Sequence, residues 1–143
     1  MALGTVVCLL TLAGCTPKDH VSARLVSDRV EFVGCDAFKV NNIEVYVRPL
    51  AAPDAQLSKV WVATGKGVYL PSPKAVYGKV PSGFGSTVGP ATIDPSRYMI
   101  TVGLAQVDSL GSLRRSAVGI FDGSKLSETQ WLNWDGNLVS NPC

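Results

Sequence analysis

The sequence predicts an all-β domain, an antiparallel β-sandwich of seven or eight short strands closed by one disulfide. Three observations carry that prediction. Fourteen glycines and nine prolines punctuate 143 residues into brief segments, the composition of strands joined by turns rather than of long helices. Several apolar runs alternate with a period of two, which sets one face of a strand inward and the other outward. Two cysteines, Cys35 and Cys143, stand near opposite ends of the folded part of the chain. An apolar content of 46% against 17% charged residues suits a folded globule with a real core.

Taken in order, Ala23 to Val26 and Arg29 to Val33 flank Ser27 and Asp28, which predicts a hairpin. Its second arm turns Val30 and Phe32 inward and Arg29 and Glu31 outward. Asn41 and Asn42 signal a turn into the clearest amphipathic strand, where Ile43, Val45 and Val47 alternate with Glu44, Tyr46 and Arg48. Residues 50–58 carry Pro53 and Asp54 and read as a loop. Lys59 to Ala63 forms a strand, and Gly65 to Gly67 a turn. Pro71 and Pro73 forbid a central strand between Tyr69 and Tyr77 and suggest an edge or crossing segment, although Ala75 to Val80 has room to pair briefly. Residues 82–95 read as the longest irregular stretch. Arg97 to Ala105 is a strand with Tyr98, Ile100, Val102 and Leu104 on one face, and it pairs across the loop Asp108 to Leu113 with Ser116 to Phe121. Ser124 to Trp134 allows one helical turn capped by Ser124 or by Ser127 with Glu128 behind it. Asp135 and Gly136 mark a tight turn. Strands at this spacing without helical crossovers imply a sandwich of the immunoglobulin or transthyretin kind, with a small open barrel as the alternative.

The first fifteen residues belong to a different kind of segment. Met1 to Leu12 contains no charge and meets the small residues Ala13 and Gly14 before Cys15, as a secretory apolar core meets its cleavage site. It falls short of the roughly 18–20 apolar residues that a spanning helix needs, and Thr16 to His20 is polar and turn-forming. The competing expectation is a buried strand or helix of the domain itself. Leu12, Ala13, Gly14 and Cys15 resemble the lipobox of bacterial lipoproteins. That resemblance implies cleavage before Cys15, a thioether-linked diacylglycerol on its sulfur, and membrane attachment through several acyl chains, palmitate among them. Each buried methylene contributes about 0.8 kcal/mol, so two or more chains exceed the marginal single-chain case. No Lys or Arg precedes Lys18, whereas signals of that family open with one; a misplaced start codon or a truncated upstream segment would account for the departure. The expected organisation is a signal peptide over 1–14, a lipidated tether over 15–22 and a sandwich over 23–143. The expected location is the cell envelope: facing the periplasm from the outer membrane where there are two membranes, and on the outer face of the cell membrane where there is one.

With Cys8 removed and Cys15 acylated, Cys35 and Cys143 remain for a single bridge in an oxidising compartment. The rival is a metal or redox pair. However, no C-x-x-C occurs, and the lone histidine, His20, falls in the expected tether.

No cofactor is expected. A serine–histidine hydrolase needs a positioned base, and His20 in a tether cannot be one. Carboxylates exist at Asp36, Glu44, Asp94, Asp108, Asp122 and Asp135, but each lies where a turn or a solvated strand face explains it. The glycines over 83–89 and at 65–67 lack the spacing and strand-to-helix context of phosphate loops. Trp131, Trp134, Phe84, Tyr69 and Tyr77 offer a possible aromatic recognition patch, against which stands ordinary packing of Trp131 onto the core. Thirteen basic and eleven acidic residues are scattered, for a net charge of +2, so no nucleic-acid partner is expected.

Beyond the lipobox, the early strand pair ending at Cys35, the segment Tyr77-Gly78-Lys79-Val80-Pro81 and the terminal Cys143 look like small bacterial envelope lipoproteins, some of which are regarded as periplasmic immunity proteins against type VI secretion effectors. The glycine- and proline-rich character also suits an actinobacterial surface lipoprotein. Three functions follow as expectations: a non-enzymatic domain that binds an envelope protein partner, a binder of a small ligand or glycan, and an enzyme using carboxylates alone.

Overall fold

The computed structural model describes residues 20–70 and 73–143, so the signal segment and Cys15 lie outside the described residues. The described residues form an antiparallel β-sandwich. Its strands are β1 Val21–Val26, β2 Arg29–Gly34, β3 Phe38–Pro49, β4 Ser58–Leu70, β5 Lys74–Val76, β6 Phe84–Val88, β7 Tyr98–Val107, β8 Leu113–Asp122, β9 Trp131–Leu132 and β10 Leu138–Val139. They assemble into sheet I, in the order β10-β9-β1-β2-β5, and sheet II, in the order β6-β4-β3-β7-β8. Two separate five-stranded sheets replace the alternative of a barrel. The strands number ten among the described residues rather than seven or eight, because short edge strands form where the sequence is rich in glycine and proline.

The first hairpin turns on Ser27 and Asp28, with φ of 48° and 64°; two consecutive positive φ values match the right-handed twist of the flanking strands. β1 already begins at Val21, and Val21 and Ser22 are buried, so the tether is shorter than expected. His20 is also fixed. Its carbonyl accepts from the Cys35 amide at 2.8 Å, and its ring stacks on Trp134 at 3.8 Å.

β4 runs straight through the glycines expected to form a turn. Opposite them the register with β3 jumps between Val40 and Asn42, so Gly65, Lys66 and Gly67 together face Asn41. Gly67 takes φ +83°, which a residue with a Cβ adopts only at a cost. The Asn41 side chain turns to the other neighbour, β7, donating to the Val107 carbonyl at 2.6 Å and accepting from the Val107 amide at 2.8 Å. The chain then crosses from sheet II to sheet I between β4 and β5. The stretch expected to be irregular contains β6, which pairs with β4. The turn after β8 is a 3-10 turn over Gly123–Lys125, and its cap is Asp122, whose carboxylate accepts from the Ser124 amide. Ser127 instead accepts from the amides of Thr129 and Gln130.

The core lies between the sheets. Val30 and Phe32 of sheet I meet Ile43, Val45, Trp61, Ile100, Val102, Leu104 and Phe121 of sheet II, so the period-two faces read from β2, β3 and β7 point where their patterns put them. Glu31 departs from that pattern. It faces outward from sheet I but is only 5% exposed. Arg24 closes on its carboxylate at 2.9 Å and Lys74 at 3.2 Å, while the Arg24 guanidinium lies 4.3 Å above Trp131. A buried carboxylate is tolerable only when paired in this way.

Candidate functional site

The two outer faces differ, and that difference locates the candidate site. Sheet I is roofed. Beside the Trp131–Arg24–Glu31–Lys74 row, the C-terminal segment lies against Ser22, which is fully buried and donates to the Pro142 carbonyl at 2.5 Å. The Cys35–Cys143 disulfide, with Cα atoms 5.4 Å apart, holds that segment down.

Sheet II has no such pinned tail over it among the described residues, although Val62 and Ala105 on its outer face are themselves buried. Directly opposed residues share a face, so the register lays out its outer surface in rows. One row is Val88, Val62, Glu44, Gly103 and Val118; the next is Lys59, Tyr46, Thr101 and Ile120. A Cβ built on Gly103 meets nothing within 4 Å, which leaves the middle of the face open. At one margin β8 pairs with β7 alone among the described strands, and it presents Val118 at 52% and Ile120 at 62% exposure.

The centre of the face is a polar cluster. The Tyr46 hydroxyl donates to Glu44 Oε2, the Asn42 amide donates to Glu44 Oε1 at 3.2 Å, and Lys59 Nζ stands 3.8 Å from Oε2. The Tyr46 hydroxyl, chiefly, holds the Glu44 carboxyl below its ordinary range; burial opposes this, and Asn42 and Lys59 reinforce it. The same bond to Glu44 raises the Tyr46 phenol. A group whose folded pKa is depressed contributes stability above its unfolded pKa and loses it as the pH falls through the folded value. Tyr46→Phe is therefore expected to move the Glu44 midpoint upward and to narrow the acid range over which the protein stays folded. Carbon-detected NMR titration of the carboxyl groups checks this, and an unmoved midpoint contradicts it. Beside the cluster runs a groove of about 440 Å³ between the β4 bulge and the β7–β8 loop, with Asn42, Glu44, Thr64 and Asp108 among its walls.

Of the remaining expected carboxylates, Asp135 is exposed in a turn, and the other four serve turns or surface pairs. Asp94 and Asp122 cap 3-10 turns. Asp108 accepts from the Leu110 and Ser112 amides and from Arg114, and it titrates low chiefly because of the Ser112 amide. Asp36 reaches Arg115 at 4.0 Å. No three His, Cys, Asp or Glu side chains group as metal ligands among the described residues.

The aromatics proposed as one patch are dispersed. Tyr77 is a core residue, its ring edge-on to Trp61 at 5.6 Å and its hydroxyl donating to the Ala91 carbonyl at 2.6 Å. Phe84 sits on β6 at the rim of an apolar cleft of about 220 Å³ that Val40, Ile43, Pro73, Lys74 and Leu104 also line. Trp131 lies under Arg24, and Trp134 carries the His20 ring. Tyr69 belongs to β4 opposite Lys39, but its side chain lies outside the described residues. The surface that sequence reasoning missed is the β8 margin. Its only signal was that Val118 and Ile120 are apolar on the face opposite Ala117 and Phe121. No family model matches the chain, and comparison with curated proteins and with solved structures found no match.

Proposed function

We propose that this chain is a lipid-anchored domain of the bacterial cell envelope that binds a protein partner through the outer face of sheet II and the free edge of β8, without catalysing a reaction. The observation that carries the proposal is the asymmetry of the sandwich. One outer face is closed by an ion-paired row and a disulfide-pinned tail, while the other ends at the ten-residue strand β8, which pairs with β7 alone among the described strands and carries exposed Val118 and Ile120. Folded proteins blunt free edges with lysine, proline or a bulge; β8 has a bulge and two arginines only at 114–115, and its stretch from Ser116 to Asp122 has no lysine, proline or bulge, which supports pairing with a partner there.

The anchor rests on the lipobox resemblance at Cys15. Only residues 16–20 separate that thiol from β1. At about 3.3–3.6 Å per residue the domain would lie within roughly 20 Å of the membrane surface. Intact-mass analysis of the native protein tests this part: an acylated cysteine as the first residue supports it, and a retained Met1 without fatty acid refutes it.

The partner-binding part is tested by capture from solubilised envelopes with the tagged chain and with Val118→Lys/Ile120→Lys. Both substitutions are at exposed positions, where effects on stability stay within about 0.5 kcal/mol. One stoichiometric partner lost in the double variant supports the reading, whereas capture indifferent to the substitutions rejects this surface. A small-ligand reading has the apolar cleft in its favour, but about 220 Å³ lies below the roughly 300–1,000 Å³ of ordinary ligand pockets; the groove of about 440 Å³ beside Glu44 is large enough, but Asn41, Asn42, Glu44, Thr64 and Asp108 give it polar walls where such pockets are mostly apolar, and the protein reading is preferred.

A further inference from the structure

We infer that the end of the sandwich from which the tether leaves is itself a membrane contact: the β7–β8 loop, with Leu110 at its tip, and the β9–β10 turn, with Trp134, enter the headgroup layer of a lipid bilayer. This goes beyond the partner-binding reading and rests on the lipid-anchored one for the membrane it meets.

Both loops stand at that end. β1 starts there, next to His20, and antiparallel pairing brings the end of β9 alongside. The turn over 133–137 follows at once, which sets Trp134 against the His20 ring. In sheet II the Arg115 guanidinium, near the start of β8, donates to the Ala37 carbonyl at 3.1 Å. Ala37 is two residues past Cys35, whose amide bonds the His20 carbonyl. The loop over 108–112 lies past that contact, before the first residues of β8. Only residues 16–19 separate His20 from Cys15, a reach of under about 20 Å, so a bilayer that holds Cys15 lies against this end.

The two loops are built alike. In the first, Asp108 Oδ1 accepts from the Leu110 and Ser112 amides, the Gly111 amide donates to the Asp108 carbonyl, and the Asp108 amide donates to the Ser112 carbonyl. In the second, Asn133 Oδ1 accepts from the Asp135 and Asn137 amides, the Gly136 amide donates to the Asn133 carbonyl, and the Asn133 amide donates to the Asn137 carbonyl. Gly111 and Gly136 hold the same left-handed conformation, at φ of 80° and 79°. Each loop thus bonds most of its amides internally. A segment that leaves water for lipid needs this closure, because its backbone groups lose their other partners.

The side chains that such closed loops hold out are apolar. Leu110 is 86% exposed and Leu113 63%, and Trp134 is 37% exposed even with the His20 ring stacked on it. Tryptophan suits the membrane boundary, where its ring meets acyl chains and its N–H meets water and headgroups. Lys39, Lys66 and Arg114 are exposed at the same end, in reach of lipid phosphates. Of the acids there, Asp108 and Asp36 face Arg114 and Arg115, and Asp135 is exposed. In this attitude the strands stand upright on the bilayer, and the β8 edge faces sideways toward other envelope proteins.

The test couples the Cys15 thiol of the full chain carrying Cys8→Ser to a maleimide phospholipid. The vesicles are phosphatidylcholine and phosphatidylglycerol with brominated acyl chains, which quench tryptophan fluorescence on contact. Attachment then does not depend on what the cell does to Cys15. Trp134→Phe is expected to remove the quenched component, since Trp61 and Trp131 are buried. In that background Leu110→Trp is expected to lose at least about twofold in intensity, as a side chain about 5–10 Å into the boundary does. Leu57→Trp, exposed between β3 and β4 at the opposite end, is expected to lose nothing. With Trp134 retained, Leu110→Asp is expected to weaken its quenching, although the two loops belong to different sheets. Circular dichroism verifies that each variant is folded. Equal quenching at 57 and 110, or none at 110 and 134 on vesicle-bound chain, overturns the membrane contact and leaves the anchor to the intact-mass result. An envelope protein captured in a Leu110-dependent way without such quenching also overturns it, and makes these loops a protein contact.

Discussion

Replacing Cys35 and Cys143 together by serine is expected to remove about 4–5 kcal/mol of stability, the loop-closure entropy restored to a denatured chain whose bridged residues stand 108 positions apart. Domains of this size hold only about 5–15 kcal/mol in total, so the bridge separates a robust domain from one that unfolds in mild denaturant. A smaller contribution comes from the tail itself. Without the bridge the C-terminal segment can lift away, and the buried Ser22 hydroxyl loses the Pro142 carbonyl but regains water, which caps that part near 1 kcal/mol. Urea titration separates the two. The double variant should unfold at a much lower midpoint with a steeper dependence on urea, because its denatured state is more open, whereas Ser22→Ala should shift the midpoint slightly with an unchanged slope. A loss below about 1 kcal/mol in the double variant would mean that the loop is already constrained in the denatured chain.

The residues that were easy to read are those whose environment follows from local alternation. Ile43, Val45 and Val47, or Ile100, Val102 and Leu104, need only a strand and a core to decide their faces. Ser27 and Asp28 decide a hairpin on their own. The disulfide followed from counting cysteines once the first two were assigned to export. The misreadings share one cause, a glycine, proline or charge whose role depends on distant chain. Gly65 to Gly67 look like a turn until β3 pairs with β4 on both sides of them and leaves them as a bulge opposite Asn41. Residues 84–88 lack apolar alternation because β6 is an edge strand with both faces wet. Glu31 looks solvent-facing until Arg24, Lys74 and the row to Trp131 close over it, and that depends on the pairing order of β9, β1, β2 and β5. The candidate surface was hidden for the same reason: alternation shows that Val118 and Ile120 face away from the core, but only the sheet order shows that β8 is last.

The largest single-residue effect is expected at Trp61, where Trp61→Ala should cost about 3–5 kcal/mol. The side chain is fully buried on β4 and performs two tasks at the margin where β4, β5 and β6 meet. Its ring takes the edge of Tyr77 at 5.6 Å, and its Nε1 donates to the Ser86 hydroxyl of β6 at 3.2 Å. Tyr77 in turn holds the segment after β6 through the Ala91 carbonyl, beside the Ala91 amide bonded to the Val60 carbonyl at 3.0 Å. Packing outweighs the hydrogen bond here. A neutral bond is worth about 0.5–1.5 kcal/mol net, and Ser86 is exposed enough for water to replace it, so Ser86→Ala should cost under about 1 kcal/mol. Trp61→Phe, which retains an aromatic ring but leaves unfilled volume, should fall between the two. Denaturant unfolding of the three variants, followed by circular dichroism, checks the order. Were Ser86→Ala to cost as much as Trp61→Ala, the anchor of this margin would be the polar contact and not the buried ring, and the account of how β6 is held to sheet II would have to change.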